Sequence, residues 1–346
     1  MLDTKYEFIS AFLRSGEARV INQDHINRIS RASNPQDILA GIIDTDIGNY
    51  LQEMPITTFD EVDEYLWRYL RKSVSQIETF QFIPADVIKI LRTYIVKYDL
   101  RNIKAALFQI LTGKKIKMVP VGIIHEYELL DNLSDSENVE DIIEILNTCN
   151  LRDYVSVLEA NKIEEGMKPS LIAESELDSI YYSNFLNKAK EVKDGFILTK
   201  VLGVIIDLTN LQIVSRAIIE GIGPRAANYL IADGYLLPTN TITELLSLKL
   251  TDIPDKMGND LYRQISEEIA DAYNKTHSIA SIEEIIDTYK FNSIKELLAP
   301  RVLSPSVIVL YLTVKEMELR NLRLVLKAVF DNIPPEEIKI YLVATS

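Results

Sequence analysis

The chain has 346 residues, 47% apolar and 25% charged, with 37 Lys plus Arg against 51 Asp plus Glu and a formal net charge of −14. This composition excludes a largely disordered chain, and its acidic balance disfavours partners with phosphate backbones or anionic lipid surfaces. Twelve Gly, twelve Pro and the single Cys149 leave few tight turns and no intramolecular disulfide, which points to long helices and a reducing compartment.

Taken in chain order, Met1–Tyr6 lacks a basic flank followed by an apolar block, so no secretory signal is expected. Asp60–Leu70 places acids in its first turn and bases in its last, as the helix dipole favours. Ile103, Leu107, Ile110 and Leu111 fall on one helical face, and Leu322, Val325, Leu326 and Val329 repeat it. The polar run Asp131–Asn138 reads as a linker. The β-rich fragments Phe196–Leu198 and Val307–Val309 are short and fit buried helix equally well. Apolar stretches such as Val201–Ile206 and Val307–Val314 fall far short of the ~20 residues that span a bilayer. The expectation is a soluble, cytoplasmic protein without direct lipid insertion. Helix ends are expected at Asn34-Pro35, Met54-Pro55, Val119-Pro120, Lys168-Pro169, Leu237-Pro238, Ile253-Pro254, Ala299-Pro300 and Ser304-Pro305, because a residue before proline is pushed out of the α region. The fold class expected is all-α.

An internal repeat organises these helices. An acid, two further residues, then Asn and an aliphatic residue occur as Asp99-Leu100-Arg101-Asn102-Ile103, Asp207-Leu208-Thr209-Asn210-Leu211 and Glu318-Leu319-Arg320-Asn321-Leu322. The three Asn lie 108 and 111 positions apart. A second pattern, an acid with two branched aliphatics and a later Thr, precedes each copy: Asp37 with Thr45, Asp141 with Thr148, and Glu244 with Thr251. The division that follows is an N-terminal helical segment, 1–34, and helical units at 35–130, 139–237 and 238–346. Such units can close around a pseudo-three-fold axis. The acid and the Asn share a helix face, while Ile103, Leu211 and Leu322 sit about 100° away, where they enter the core. Three polar faces could line a shared cavity; alternatively, each acid and Asn satisfies buried backbone groups.

Catalytic signals are poor. His25, His125 and His277 are isolated, and His125-Glu126 lacks the second histidine of a zinc motif, because Leu129 stands there. Gly113-Lys114-Lys115 lacks the glycine spacing and hydroxyl of a phosphate loop. Cys149 reads as a structural thiol, and Glu164-Glu165 and Glu336-Glu337 as solvated acids. No catalytic residue, cofactor or metal site is expected. Gly221-Ile222-Gly223-Pro224-Arg225 with Tyr229-Leu230 looks like the turn of a helix-hairpin-helix DNA-binding module, the alternative reading. Its register with Gly113 makes it the ordinary exit turn of a repeat helix, and nucleic acid is not expected as a partner.

Lys315-Glu316-Met317-Glu318-Leu319-Arg320-Asn321-Leu322-Arg323, with Lys327 and Pro335–Ile338 behind it, resembles the closing motif of a known family. That family comprises the C subunits of archaeal A-type and bacterial V-type rotary ATP synthases, counterparts of the d subunit in eukaryotic vacuolar ATPases. Asp44–Leu51, Leu177–Tyr182 and Gly16–Val20 are similar to further family segments. Phe108 departs from the pattern by standing where Arg216 and Lys327 carry charge. The resemblance implies three helical units in a funnel and a non-catalytic rotor part. It would rest on a membrane proteolipid ring, receive the D and F subunits of the central shaft, and pass torque during ATP synthesis or hydrolysis from the cytoplasmic face. The residues then expected to face the shaft are Asp99, Asn102, Asp207, Asn210, Arg216, Glu316, Glu318, Asn321, Arg323 and Lys327.

Overall fold

A computed structural model describes residues 4–16, 19–160 and 171–345. Met1–Asp3, Glu17-Ala18 of the opening segment, the Glu164-Glu165 pair and the Lys168-Pro169 break lie outside them. The structure is 73% helical with no strand among the described residues, so the fold is all-α. In chain order the helices are α1 (Glu7–Ser15), α2 (Gln23–Ile29), α3 (Pro35–Gly41), α4 (Asp46–Leu51), α5 (Phe59–Glu78) and α6 (Ala85–Thr112). There follow α7 (Ile123–Glu126), α8 (Leu130–Ser134), α9 (Val139–Thr148), α10 (Val155–Ala160), α11 (Leu171–Lys190) and α12 (Gly195–Ile219). The chain continues through α13 (Thr239–Leu245), α14 (Asp260–Thr276), α15 (Ile279–Leu298), α16 (Val307–Phe330) and α17 (Pro335–Ile338).

The chain divides into two compact units, Met1–Leu91 with Ile294–Ser346, and Arg92–Ser293. In the first, α16 packs along α5 and also carries α1 and α3. Leu66, Leu70, Leu312, Leu322, Val325 and Leu326 are fully buried there. In the second, α11 packs along α12, and one core joins Leu208, Leu211 and Val214 to Ile242, Ile265, Ile282 and Ile286. Each such side chain contributes about 1.5–3 kcal/mol on burial. Helix α12 is long and apolar enough to cross a membrane by length and composition, but its apolar window is 83% buried within the protein. It serves as a core helix.

Local chemistry explains most boundaries. Asn34, Thr58 and Asn138 cap α3, α5 and α9, each accepting from the N–H of the third helical residue. Pro35 occupies the first turn of α3, where its missing N–H costs nothing. The run Asp131–Asn138 is less of a linker than its polarity suggests: fully buried Leu133 anchors the short α8, and Asn138 begins α9. Phe196–Leu198 and Val307–Val309 lie in α12 and α16.

The second sequence pattern resolves unevenly. Asp37 and Asp141 both take the third position of a helix capped by Asn, but Glu244 sits near the end of α13. Their threonines share no role. Thr45 caps α4, Thr148 bonds back to the Glu144 carbonyl, and Thr251 bonds to Asp252. This pattern marks a common helix start in two copies and coincidence in the third.

Candidate functional site

The three Asn do one job. Asn102 donates from Nδ2 to the Val119 carbonyl at 2.9 Å and accepts the Val119 N–H at 2.8 Å. Asn210 holds both backbone groups of Ile231, each at 2.8 Å. Asn321 holds both groups of Val343, at 2.7 and 3.1 Å. A side-chain amide carries one donor and one acceptor side by side, so it pairs with an extended residue as a neighbouring strand would. Eleven positions after each Asn, the helix ends on a left-handed residue: Gly113 (φ 69°), Gly221 (φ 70°) and Asn332 (φ 58°). Bonds from Ile222 to the Ala217 carbonyl and from Ile333 to the Ala328 carbonyl close α12 and α16 in the same way. Each module is therefore a long helix, a left-handed exit and an extended segment returned to the helix by its Asn.

The acids anchor the next stretch of backbone. Asp99 accepts the Ile123 and Ile124 N–H groups at 2.9 and 2.8 Å. Asp207 accepts from Tyr235, Leu236 and Leu237, and from the Tyr262 hydroxyl at 2.8 Å. Close approach needs glycine here: a Cβ on Gly122 or Gly234 would collide with the Asp99 or Asp207 carboxylate, and Gly122 also has φ 114°. Burial pushes Asp99 up to about 7 against the pull of its two N–H bonds, and burial likewise raises Asp207. In the third module Glu318 accepts one backbone N–H, from Ile21 at 2.9 Å, and an ion pair from Lys315 at 3.1 Å.

These contacts give six of the ten residues the other role open to them, satisfying buried backbone. Asp99, Asn102, Asp207, Asn210, Glu318 and Asn321 are each no more than 1% exposed, and their polar atoms are bound to the chain's own interior. They satisfy buried backbone rather than line an open polar wall. The four remaining candidates keep solvent contact. Half-buried Arg216 lies 3.4 Å from Glu220 and 4.0 Å from Glu174. Half-buried Arg323 pairs with Asp63 and stacks 5.2 Å from the Trp67 ring. Exposed Lys327 pairs with Asp331 at 3.0 Å and lies 5.2 Å from the Phe59 ring. Glu316 is half-buried on α16. Phe108, in the register of Arg216 and Lys327, is 38% exposed and uncharged.

The supporting glycines Gly122 and Gly234 and Tyr262 escaped the sequence reading, and Lys315 entered it only as part of the closing motif. A signal for Lys315 existed: three positions before the acid, the other two modules have Val96 and Val204. A lysine in an apolar register asks for a buried partner. Nothing in the hairpin-like stretch supports a DNA-binding turn. Gly221 closes α12, Gly223–Tyr229 form a 3₁₀ helix where the module needs its second α-helix, and Ile231 is the residue Asn210 holds. Cys149 is buried, which raises its thiol to about 11. Among the described residues no group of three or more His, Cys, Asp or Glu could hold a metal ion.

The model of the ATP synthase (C/AC39) subunit family matches residues 9–341. The chain belongs to this family. It is similar to the A-type ATP synthase C subunit of Methanocaldococcus jannaschii, 25% identical over 98% of this chain and 86% of that protein. It is also similar to the corresponding C subunits of Methanobrevibacter smithii, 26% identical over 92% and 83%, and of Pyrococcus abyssi, 23% identical over 97% and 90%. As a C/AC39 family member it is an accessory component of the ATP synthase rather than a catalytic one. The buried motifs are thus the scaffold of a non-enzymatic part.

Proposed function

We propose that this C/AC39 family member is the central-stalk piece that joins the membrane proteolipid ring to the D–F shaft and passes torque between them. The family match across residues 9–341 carries the reading. Its three long helices, each locked to an extended segment by a two-point amide bond, suit a part that must resist twisting, because fully bonded polar networks rigidify a core. In this reading the three modules surround a pseudo-three-fold axis, and the protein sits peripherally on the cytoplasmic face of the membrane.

Contact with the shaft then falls to the solvent-reaching residues Arg216, Glu316, Arg323 and Lys327, with the six buried motif residues holding their helices in place. Partly exposed charges of this kind set orientation and association rate more than total affinity. The test is co-purification of the full chain with the D–F pair and, separately, with the ring proteins. Retention of both is expected at about 0.15 M salt, a screening length of about 8 Å. Retention of neither would remove the stalk assignment.

A further inference from the structure

In the first two modules, one run of backbone supplies both the residue held by the Asn and the N–H groups held by the acid: 119 to 124, and 231 to 237. The third module divides these tasks. Asn321 holds Val343, and the half-buried Arg320 donates to the Tyr341 carbonyl at 3.0 Å. The N–H bound by Glu318, however, belongs to Ile21, 297 positions away. The two segments are joined directly: Thr345 gives the Ile21 carbonyl both its N–H, at 3.0 Å, and its hydroxyl, at 2.7 Å. Val20, Ile21 and Thr345 are all buried.

A split segment brings fewer donors. Glu318 receives one backbone N–H where Asp99 receives two and Asp207 three. Lys315 makes up the difference. It is 1% exposed, lies 3.1 Å from Glu318 and 3.0 Å from the Tyr69 hydroxyl, and replaces the valines of the other modules. A buried carboxylate with a single neutral donor is costly, and a buried ammonium is tolerated only beside a carboxylate.

We propose that residues 20–22 and 343–345 form a latch that closes the first unit as one cooperative piece, with Lys315 as the positioning residue that holds it through Glu318. The latch opens as a whole: once the Glu318 carboxylate loses Lys315, it recruits water, Ile21 loses its acceptor, and Thr345 loses Ile21. Helices α5 and α16 keep their apolar contacts through this opening. This inference stands on the geometry of the first unit and does not depend on the shaft assignment.

Amide hydrogen exchange on the full chain tests it, because exchange resolves which amides open together. In the unaltered protein Ile21, Val343 and Thr345 are expected to be protected and to exchange at a common rate. Lys315→Val should speed all three together at least tenfold, and they should stay less protected than the Leu322–Leu326 amides of α16 in both proteins. Thr345→Val, which removes one hydroxyl bond and leaves the ion pair intact, should also speed Ile21 and Thr345 together. Ile21 exchanging independently of Thr345 would overturn the latch, as would Ile21 being as strongly protected as Leu322–Leu326 in the unaltered protein. If Lys315→Val fails to fold, the Thr345→Val measurement decides: unchanged Ile21 exchange refutes the proposal.

Discussion

The modules on α6 and α12 differ from the one on α16 in how they keep a buried acid. The first two use the short aspartate and bring backbone to it, with Gly122 and Gly234 allowing the approach. The third uses the longer glutamate, one N–H from a distant segment, and a buried lysine. The same requirement, a carboxylate satisfied without water, is thus met by backbone in two places and by an ion pair in one. A helical repeat can preserve its architecture while changing the chemistry that supports it, provided each acid keeps at least two donors.

The sharpest way to break this comparison is to give the third module the residue found in the other two. Lys315→Val leaves Glu318 buried without its cation and should cost about 3–5 kcal/mol of stability. Chemical denaturation of wild type and variant measures it, and a change within 0.5 kcal/mol, roughly that of an ordinary surface substitution, would mean Lys315 holds nothing. An effect of similar size is expected where an amide is removed. Asn210→Ala orphans the N–H and the carbonyl of Ile231, at about 1–3 kcal/mol for each group left unsatisfied. The same measurement on Asn102→Ala and Asn321→Ala should give similar losses if the three are equivalent.

Measured over a single pH unit, the smallest effect separates the modules by pH. Folded Asp99 keeps its proton up to about 7, whereas an unfolded aspartate loses it near 4. Between about pH 4 and 7 the folded state therefore binds more protons at this site, and its share of stability falls as pH rises. Asp99→Asn is neutral throughout and should remove that slope, which is at most about 1.4 kcal/mol per pH unit. Unfolding free energies across this window, wild type against variant, read the difference. A parallel pair of curves would show that Asp99 is ionised throughout.

Much of the fold was legible because it is written locally. Helical periodicity, the acids and bases at the two ends of Asp60–Leu70, and proline breaks need only neighbours within a turn or two. The repeat itself was visible in Asn102, Asn210 and Asn321. Their task stood as one of two readings, since spacing places Asn210 on a helix face without revealing that Ile231 would lie against it. Charge misled in the same way: an acid three residues from an amide reads as a wet surface until the fold brings backbone N–H groups to it. The link from Glu318 to Ile21 spans most of the chain and leaves no mark in local pattern. Leu133 shows the opposite error, one buried leucine turning a polar run into a helix.

The central claim is that the buried motif residues build the scaffold while the solvent-reaching charges of the same helices bind the shaft. Titrating the D–F pair into the wild-type chain and into Arg323→Gln/Lys327→Glu, with melting temperature followed in parallel, tests it most directly. The account predicts affinity weakened at least tenfold, about 1.4 kcal/mol, with melting shifted by no more than a few degrees. Unchanged affinity in that variant, with the fold intact, would contradict it.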